Sequence, residues 1–446
     1  MGKNGGKLLG AVILLGLVTY AWAQTPSPAG GGKIVSNPLD IIFFQGFVWQ
    51  SWKSDSWYNV LKEAAFEIAD AGITDVWFPP ASQSAADGPQ GYLPEKLYDL
   101  ESNYGTSEQL RQAVQAFKQN GVRCVADIVI NHRMGSKKDD KGYPCIFEGG
   151  TDDEKLDWGA WAVPMNDKPY SCGSGKEENP KDDFTGAPDI DHTNSRVQSE
   201  LSEWMKWLMS DIGFDGWRFD FALGYPVSSL VQYVQNTGPA FSVGEVWEIG
   251  SFGNGGEHLE DASRQRQALV DWVHSAGDRT TVFDFTTKGL LQYALKENEL
   301  WRLRDSNGKP SGMIGLLPEK AVTFIDNHDT GSSQQNTWPF PYDKITQGYL
   351  YILTHPGIPT IFYDHFQDKN FKENIKKFVE IRKRNKIRAN SACTILTAES
   401  DLYMANIEDR VIMKIGSRLN LGQFQPSNDF QLNTSGQDYA VWERKT

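Results

Sequence analysis

Only four cysteines are spread through 446 residues, and none stands in a CxxC or mixed Cys/His arrangement. That scarcity excludes a disulfide-built scaffold and gives no support to a structural zinc or a cysteine nucleophile. Positive charge is also short: 44 Lys and Arg face 57 Asp and Glu, for a net charge of -13. A chain so acidic is a poor match for a nucleic-acid backbone or an anionic membrane, and suits a neutral ligand or bound cations. Arginine is missing before Arg111 and serine before Ser27, which disfavours a plastid transit peptide. Past the first two dozen residues no apolar run is long enough to cross a membrane.

The start of the chain carries an apolar run too short to span a membrane. Lys3 and Lys7 precede an apolar stretch from Leu8 to Tyr20, and Ala21-Trp-Ala23 offers a small-x-small cleavage site. Residues 1–23 therefore read as a secretory signal peptide, and residues 24–37, rich in Pro and Gly, as a linker. Secretion is the expected destination. Cys124 lies inside the apolar run Val122-Arg-Cys-Val-Ala-Asp127 and reads as a buried free thiol, whereas Cys145 and Cys172 flank one loop-rich region and can pair in an oxidising compartment.

Fifteen Trp and an aromatic content of 12% are a heavy load. Most of these rings should pack a core, and some can stack on sugar rings. Along the rest of the chain, short strand-like runs alternate with amphipathic helical patterns. Eight strands are expected, at 41–47, 75–79, 123–130, 216–221, 241–247, 281–285, 322–325 and 360–363. Between the first two, Trp57, Leu61, Ala65 and Ile68 recur at helical spacing, and Thr106-Ser-Glu-Gln109 has the form of a capping box. Eight strand-helix units predict an α/β protein, a (β/α)8 TIM barrel with a loop-rich insertion after strand 3 and a C-terminal antiparallel β domain. The expected division is barrel at 38–131 and 193–387, insertion at 132–192 and β domain at 388–446, the last with short strands at 401–415 and 438–444.

Three of the expected strands close on a carboxylate: Gly216-Trp-Arg-Phe-Asp220, Gly244-Glu-Val-Trp247 and Phe324-Ile-Asp-Asn-His-Asp329. Strand alternation puts Arg218 and Asp220 on one side. In a barrel of this kind functional groups gather on the loops after the strands' C-terminal ends. Paired carboxylates in one site suit glycosidic bond cleavage, where one acid attacks and another gives and retrieves a proton. Any one of these acids could instead cap the next helix or hold an arginine; their joint occurrence weakens that alternative.

With Asp127-Ile-Val-Ile-Asn-His132 and Ala187-Pro-Asp-Ile-Asp-His192, these motifs make the chain from about Ile42 to Thr446 resemble the plant-type α-amylases of glycoside hydrolase family 13. The resemblance implies Asp220 as nucleophile, Glu245 as general acid and then base, and Asp329 as transition-state stabiliser. It assigns substrate binding to Tyr92, His132, Arg218, Trp247 and His328, and structural support to Asp127. It implies Ca2+ at three places. Asn131, Asn179, Asp189 and the carbonyls of Asp182 and Gly224 would form the first site; Glu148, Thr151, Asp153 and Asp157 the second; Asp167 and Asp183 would belong to a third. A solvated acidic loop is the plain alternative for the last. Asn179 stands where the family usually has Asp, which keeps an oxygen ligand and loses a charge.

Two further departures bear on specificity. Leu223 replaces a cation usual between the nucleophile and the metal-binding glycine, and Leu316 and Leu317 replace adjacent tryptophans. Leucine offers no flat stacking face, so poor adsorption to starch granules is expected there. The expected activity is calcium-dependent, endo-acting, retaining hydrolysis of internal α-1,4-glucosidic bonds by a monomer, with an α-glucan as partner and no nucleic acid or membrane. A transglycosylase or debranching relative on the same barrel, or a non-catalytic starch-binding protein, remains an alternative.

Overall fold

The structure is a computed structural model that describes residues 37–176, 184–247, 259–331 and 338–445. The leader, and all but the last residue of the linker, lie outside the described residues. Eight parallel strands close into a barrel: β1 (Phe43–Gln45), β2 (Asp75–Trp77), β3 (Arg123–Ile128), β4 (Gly216–Phe219), β5 (Phe241–Gly244), β6 (Thr281–Phe283), β7 (Ala321–Thr323) and β8 (Ile358–Phe362). Each pairs with its neighbours in sequence, and β1 pairs with β8 to complete the ring. All eight expected strands are present. Most are shorter than expected because the pairing stops near the residues that turn into the functional loops.

The helices follow from local signals. Helix α1 (Trp57–Asp70) starts where Ser56 accepts from the Asn59 amide, and it buries Trp57, Leu61, Ala65 and Ile68 against the barrel. Thr106 and Gln109 form the expected capping box at the start of α2 (Ser107–Gln119). The pattern of apolar residues from Val197 to Ile212 becomes α3 (Ser195–Trp207) with a wider final turn, and Gly213 ends it at φ 100°, a value open to glycine without strain. After β6, Asp284 caps α4 (Phe285–Glu297) by accepting from the Thr287 amide.

The insertion has little regular structure, as its composition suggests. Cys145 and Cys172 are joined by a disulfide within it. Arg133, only 1% exposed, donates to the carbonyls of Glu95, Leu156 and Glu148 at 2.6–3.0 Å. Its guanidinium also lies about 5 Å from the rings of Phe147 and Trp158. One buried cation thus satisfies carbonyls that the loops leave without ladder partners. No helix among the described residues is long and apolar enough to cross a membrane.

The C-terminal sheet has five antiparallel strands, β9 (Cys393–Ala398), β10 (Tyr403–Ile407), β11 (Val411–Ile415), β12 (Phe430–Gly436) and β13 (Tyr439–Arg444), in the order 9-10-11-13-12. The run from Asp401 to Ile415, expected as one strand, is a hairpin. It turns at Glu408 and Asp409, both left-handed at φ 55° and 53°, with no glycine to mark the turn.

Candidate active site

The site grows out of the register of three adjacent strands. Asp127 on β3 is paired with Arg218 on β4, and Phe219 on β4 with Gly244 on β5. Asp220 and Glu245 are therefore the next residues in step, one position beyond each strand. Backbone hydrogen bonds extend the ladder to them: the Asp220 amide donates to Ile128 and the Glu245 amide to Phe219. The chain then turns at Phe221, whose φ of 45° is unusual for a bulky residue. This turn aims the Phe221 amide at Glu245 Oε2, 3.0 Å away.

Arg218 is the hub. It is 1% exposed, and its guanidinium reaches Asp127 Oδ1 at 2.8 Å, Asp220 Oδ1 at 2.7 Å and Glu245 Oε2 at 2.9 Å. Trp77 and Tyr92 place their rings 4.8 and 5.8 Å from the same guanidinium. Asp127 also accepts from Trp77 Nε1 at 3.0 Å and from the Tyr92 hydroxyl at 2.9 Å. These three donors hold Asp127 away from the cleft, which fits the supporting role the resemblance implies for it.

A second chain of contacts brings in the loop after β7. The Tyr92 hydroxyl donates to Asp127, so its oxygen accepts from His328 Nε2 at 2.7 Å, and His328 Nδ1 faces the Gln45 amide at 2.9 Å. His328 Nε2 is also 3.2 Å from Asp329, whose side chain is 24% exposed and borders the cleft. His132 Nε2 donates to the Tyr92 carbonyl at 2.8 Å. Burial lowers His132 to about 4 and His328 well below its ordinary range, with the Arg218 charge adding to the effect at His328. Both rings are neutral near pH 7, a form in which one nitrogen donates and the other accepts.

Burial pushes the Asp220 carboxyl well above the usual carboxylate range; Arg218 pulls it down, and Glu245, Asp127 and Asp329 push it further up. Burial also raises Asp127 against the pull of Arg218 and its hydrogen bonds. One guanidinium thus serves three carboxylates, and burial opposes the charge of Asp220 and of Asp127 despite it.

The cleft above these groups has a volume of about 270 Å³ and is lined by Trp49, Tyr92, His132, Phe184, Asp220, Phe221, Leu223, Glu245, Trp247, His328 and Asp329. All three acids named from the sequence border it, as do Tyr92, His132, Trp247 and His328; Arg218 lies beneath. Trp247 also stacks on Phe285, with centroids 5.0 Å apart. Trp49 and Phe184 belong to the cleft and were not singled out by sequence reasoning. Trp49 lies parallel to Tyr92 at 5.9 Å, and Phe184 stacks on His132 at 3.8 Å. The signal for Trp49 was available, an aromatic just beyond the end of the first strand. Phe184 sits in the irregular insertion, where no periodicity points to it.

The cation ligands named from the sequence separate into groups. Asn131 Nδ2 donates to Asp189 Oδ1 at 3.1 Å, while the buried Asn131 Oδ1 has no hydrogen-bond partner among the described residues. A Cβ at position 224 would lie 2.0 Å from that oxygen, so only glycine lets the backbone approach it. The Asp189 amide donates to Asp167 Oδ2 at 3.0 Å, which places Asp167 beside this group. A buried oxygen without a proton to accept, next to a carboxylate and a close-packed backbone, fits a hard cation. Asn179, Asp182 and Asp183 lie outside the described residues. Of the second set, Glu148 is held by Lys137, Asp153 by Lys155 at 2.9 Å, and Asp157 accepts from the Gly149 amide at 2.7 Å. Thr151 Oγ1 accepts from the Lys155 amide at 3.1 Å. No cluster of three or more His, Cys, Asp or Glu suited to a metal occurs among the described residues.

Comparison with known proteins agrees with this geometry. The profile of the α-amylase catalytic domain matches residues 67–236, and that of the α-amylase C-terminal β-sheet domain matches residues 384–443. A probable α-amylase 2 of Arabidopsis thaliana is 42% identical over 418 residues, covering 93% of this chain and 96% of that protein. The chloroplastic α-amylase 3 of the same plant is 41% identical over 407 residues, which are 90% of this chain and 44% of that longer protein. Among solved structures, an α-amylase from Geobacillus thermoleovorans complexed with acarbose superposes with a TM-score of 0.63 at 16% identity, covering 91% of this chain and 98% of that one. A cyclomaltodextrin glucanotransferase reaches the same TM-score at 17% identity, covering 91% and 96%. At such identities the likeness concerns the fold alone, which is shared by hydrolases and transferases.

Proposed function

The chain belongs to the α-amylase family, glycoside hydrolase family 13, and acts on starch glucans; from that premise we propose that it is an endo-acting, retaining hydrolase of internal α-1,4-glucosidic bonds. The observation that carries this reading is the sharing of Arg218 by Asp220 and Glu245 at the floor of a cleft bordered by Asp329. The glucose unit at the cut stacks on Tyr92, and the neutral His132 and His328 meet its hydroxyls. Asp220 attacks the anomeric carbon from the side opposite the leaving oxygen; the bond from carbon to Asp220 forms as the glycosidic bond breaks, and the Glu245 proton passes to the departing oxygen. Glu245, now a carboxylate, takes a proton from water, which displaces Asp220 and restores the α configuration. Asp329 favours the flattened, cationic sugar between these states.

Digestion of an end-blocked maltoheptaoside tests this. The first products should carry the α anomer and several chain lengths. A β anomer, or release of single glucose units only, would overturn it. A transglycosylating side activity finds support in the acceptor side of the cleft, where the buried Leu223 and the half-buried Phe221 and Phe184 favour a sugar face over water. Its sign would be products longer than the substrate at high substrate concentration.

The same reading extends to calcium. Asn131, Asp189 and the Gly224 carbonyl would hold the ion beside the third and fourth strand ends, together with Asn179 and the Asp182 carbonyl, and it would tie the insertion to the barrel. Chelation with EDTA should lower the melting temperature and activity together, and Ca2+ but not Mg2+ should restore both. Melting and activity that ignore EDTA would remove calcium from the proposal. Residues 1–23 are taken to direct secretion, a reading that the Cys145–Cys172 disulfide supports because such bonds persist in oxidising compartments.

A further inference from the structure

Behind the loop that carries His328 and Asp329 lies a second buried charge cluster that touches no part of the cleft. Lys288, one turn into α4, is 0% exposed. Its Nζ donates to the carbonyl of Trp338 at 2.9 Å and to Gln292 Oε1, and lies 3.4 Å from Asp326 Oδ1. It also sits 4.2 Å above the Trp338 ring. Asp326 accepts from the Thr330 hydroxyl at 3.0 Å and the Phe340 amide at 3.0 Å, and the Trp338 amide donates to the Thr330 carbonyl at 3.1 Å. Gln292 adds a bond from its amide to the Pro339 carbonyl at 2.9 Å.

Lys288 therefore grips both limbs of one loop, the outgoing limb at Asp326 and the returning limb at 338–340. Between Asp326 and Thr330 stand His328 and Asp329. Asn327 closes that turn, accepting from the amides of Asp329 at 2.9 Å and Thr330 at 2.8 Å. Building on the hydrolytic reading, we propose that Lys288 is a positioning residue whose ammonium, paired with Asp326, fixes the loop that presents His328 and Asp329 to the glucan.

The position of a transition-state group matters steeply: a shift of about 1 Å can cost about 100-fold in rate. Lys288 also carries a charge that can be lost. Burial lowers it to about 8, against the attraction of Asp326. The other titratable groups close to the pair are His365, whose Nε2 is 3.6 Å from Asp326 Oδ2, and Asp364 and Asp368 on the same segment. Burial lowers His365 as well, so it is neutral where Lys288 titrates. As pH rises through about 8, the ammonium is lost and Asp326 keeps no cation in contact. The effect on stability has the opposite sign. A lysine whose proton is held less tightly in the folded state makes the fold more stable, not less, as pH rises from its folded value to its unfolded one. Activity on the alkaline side should thus fall while the protein stays folded, which a merely structural lysine would not produce.

The test compares Lys288→Met and Lys288→Arg with the unmodified enzyme on a soluble maltoheptaoside, following kcat and KM across pH together with melting temperature. Lys288→Met should lower kcat about 10- to 100-fold with KM changed by less than about threefold, and without the alkaline fall. Lys288→Arg, whose charge does not titrate in this range, should move that fall to higher pH. A folded Lys288→Met with kcat within about threefold of the unmodified enzyme would sink the role, on the same scale. Should Lys288→Met not fold, the arginine variant decides alone: an alkaline limb left where it was rejects the proposal. Loss of the hydrolytic reading is recognised separately, because the unmodified enzyme would then release no product at any pH.

Discussion

Replacing Asp220 by Ala should lower kcat by about four orders of magnitude or more, because no other group in the cleft can form the covalent intermediate. The fold should not suffer. Burial and the surrounding carboxylates raise Asp220 above its unfolded value, and a carboxyl shifted that way loses stability as pH rises through its folded value. At neutral pH the charge is therefore a cost to the folded state, and an uncharged residue removes it. Melting temperature should stay level or rise, as at other sites where function strains the structure. Added azide gives a further check on roles. Entering the space left by Asp220→Ala, it should attack the anomeric carbon directly and yield a β-glycosyl azide. In Glu245→Ala the Asp220 intermediate still forms on an activated substrate, and azide should yield the α product. The reverse assignment of products would exchange the two roles.

Arg218→Met should be the most destabilising single change in the site. Burial opposes the Arg218 charge, but Asp127, Glu245 and Asp220 outweigh it and hold the guanidinium well above its ordinary range. Removing it leaves three buried carboxylates that had shared one guanidinium with no cation among them. Breaking a buried ion pair by removing one partner typically costs about 3–5 kcal/mol, and a shared partner should not cost less. The loss should shrink as pH falls, because protonation relieves the uncompensated carboxylates, so urea unfolding near pH 5 and pH 8 should show a clearly smaller deficit at the lower value. A deficit independent of pH would mean that lost packing against Trp77 and Tyr92, not charge, is what the arginine supplies. Arg218→Lys should restore little, since one ammonium cannot make the fork that meets three acids.

Much of the site could be read from the sequence because barrel geometry translates chain position into location. Asp220, Glu245 and Asp329 each follow a short apolar run, and any such residue must emerge at the same rim. What could not be read is set by contacts across the barrel. The reliance of three acids on one guanidinium depends on the register of β3, β4 and β5, which no local pattern records. No local pattern marks Arg133 or Lys288 as buried; both are buried because distant loops lend them carbonyls. The hairpin between β10 and β11 was missed for a different reason. Glu408 and Asp409 adopt left-handed conformations without the glycine or asparagine that usually advertises them.

The adjacency of β4 and β5 reaches further than holding two acids near one arginine. Neighbouring strands run about 4.8 Å apart, and retaining glycosidases hold their two carboxyl groups about 5–5.5 Å apart, against about 6.5–9.5 Å for inverting ones. Asp220 and Glu245 stand side by side, one step past paired residues, so their separation derives from the spacing of a hydrogen-bonded ladder. On the proposed mechanism, the handedness of the product is set by which strands are neighbours. Lengthening a side chain or reshaping a loop would change rate and preference; admitting a water between the two acids would mean moving one of them to another strand.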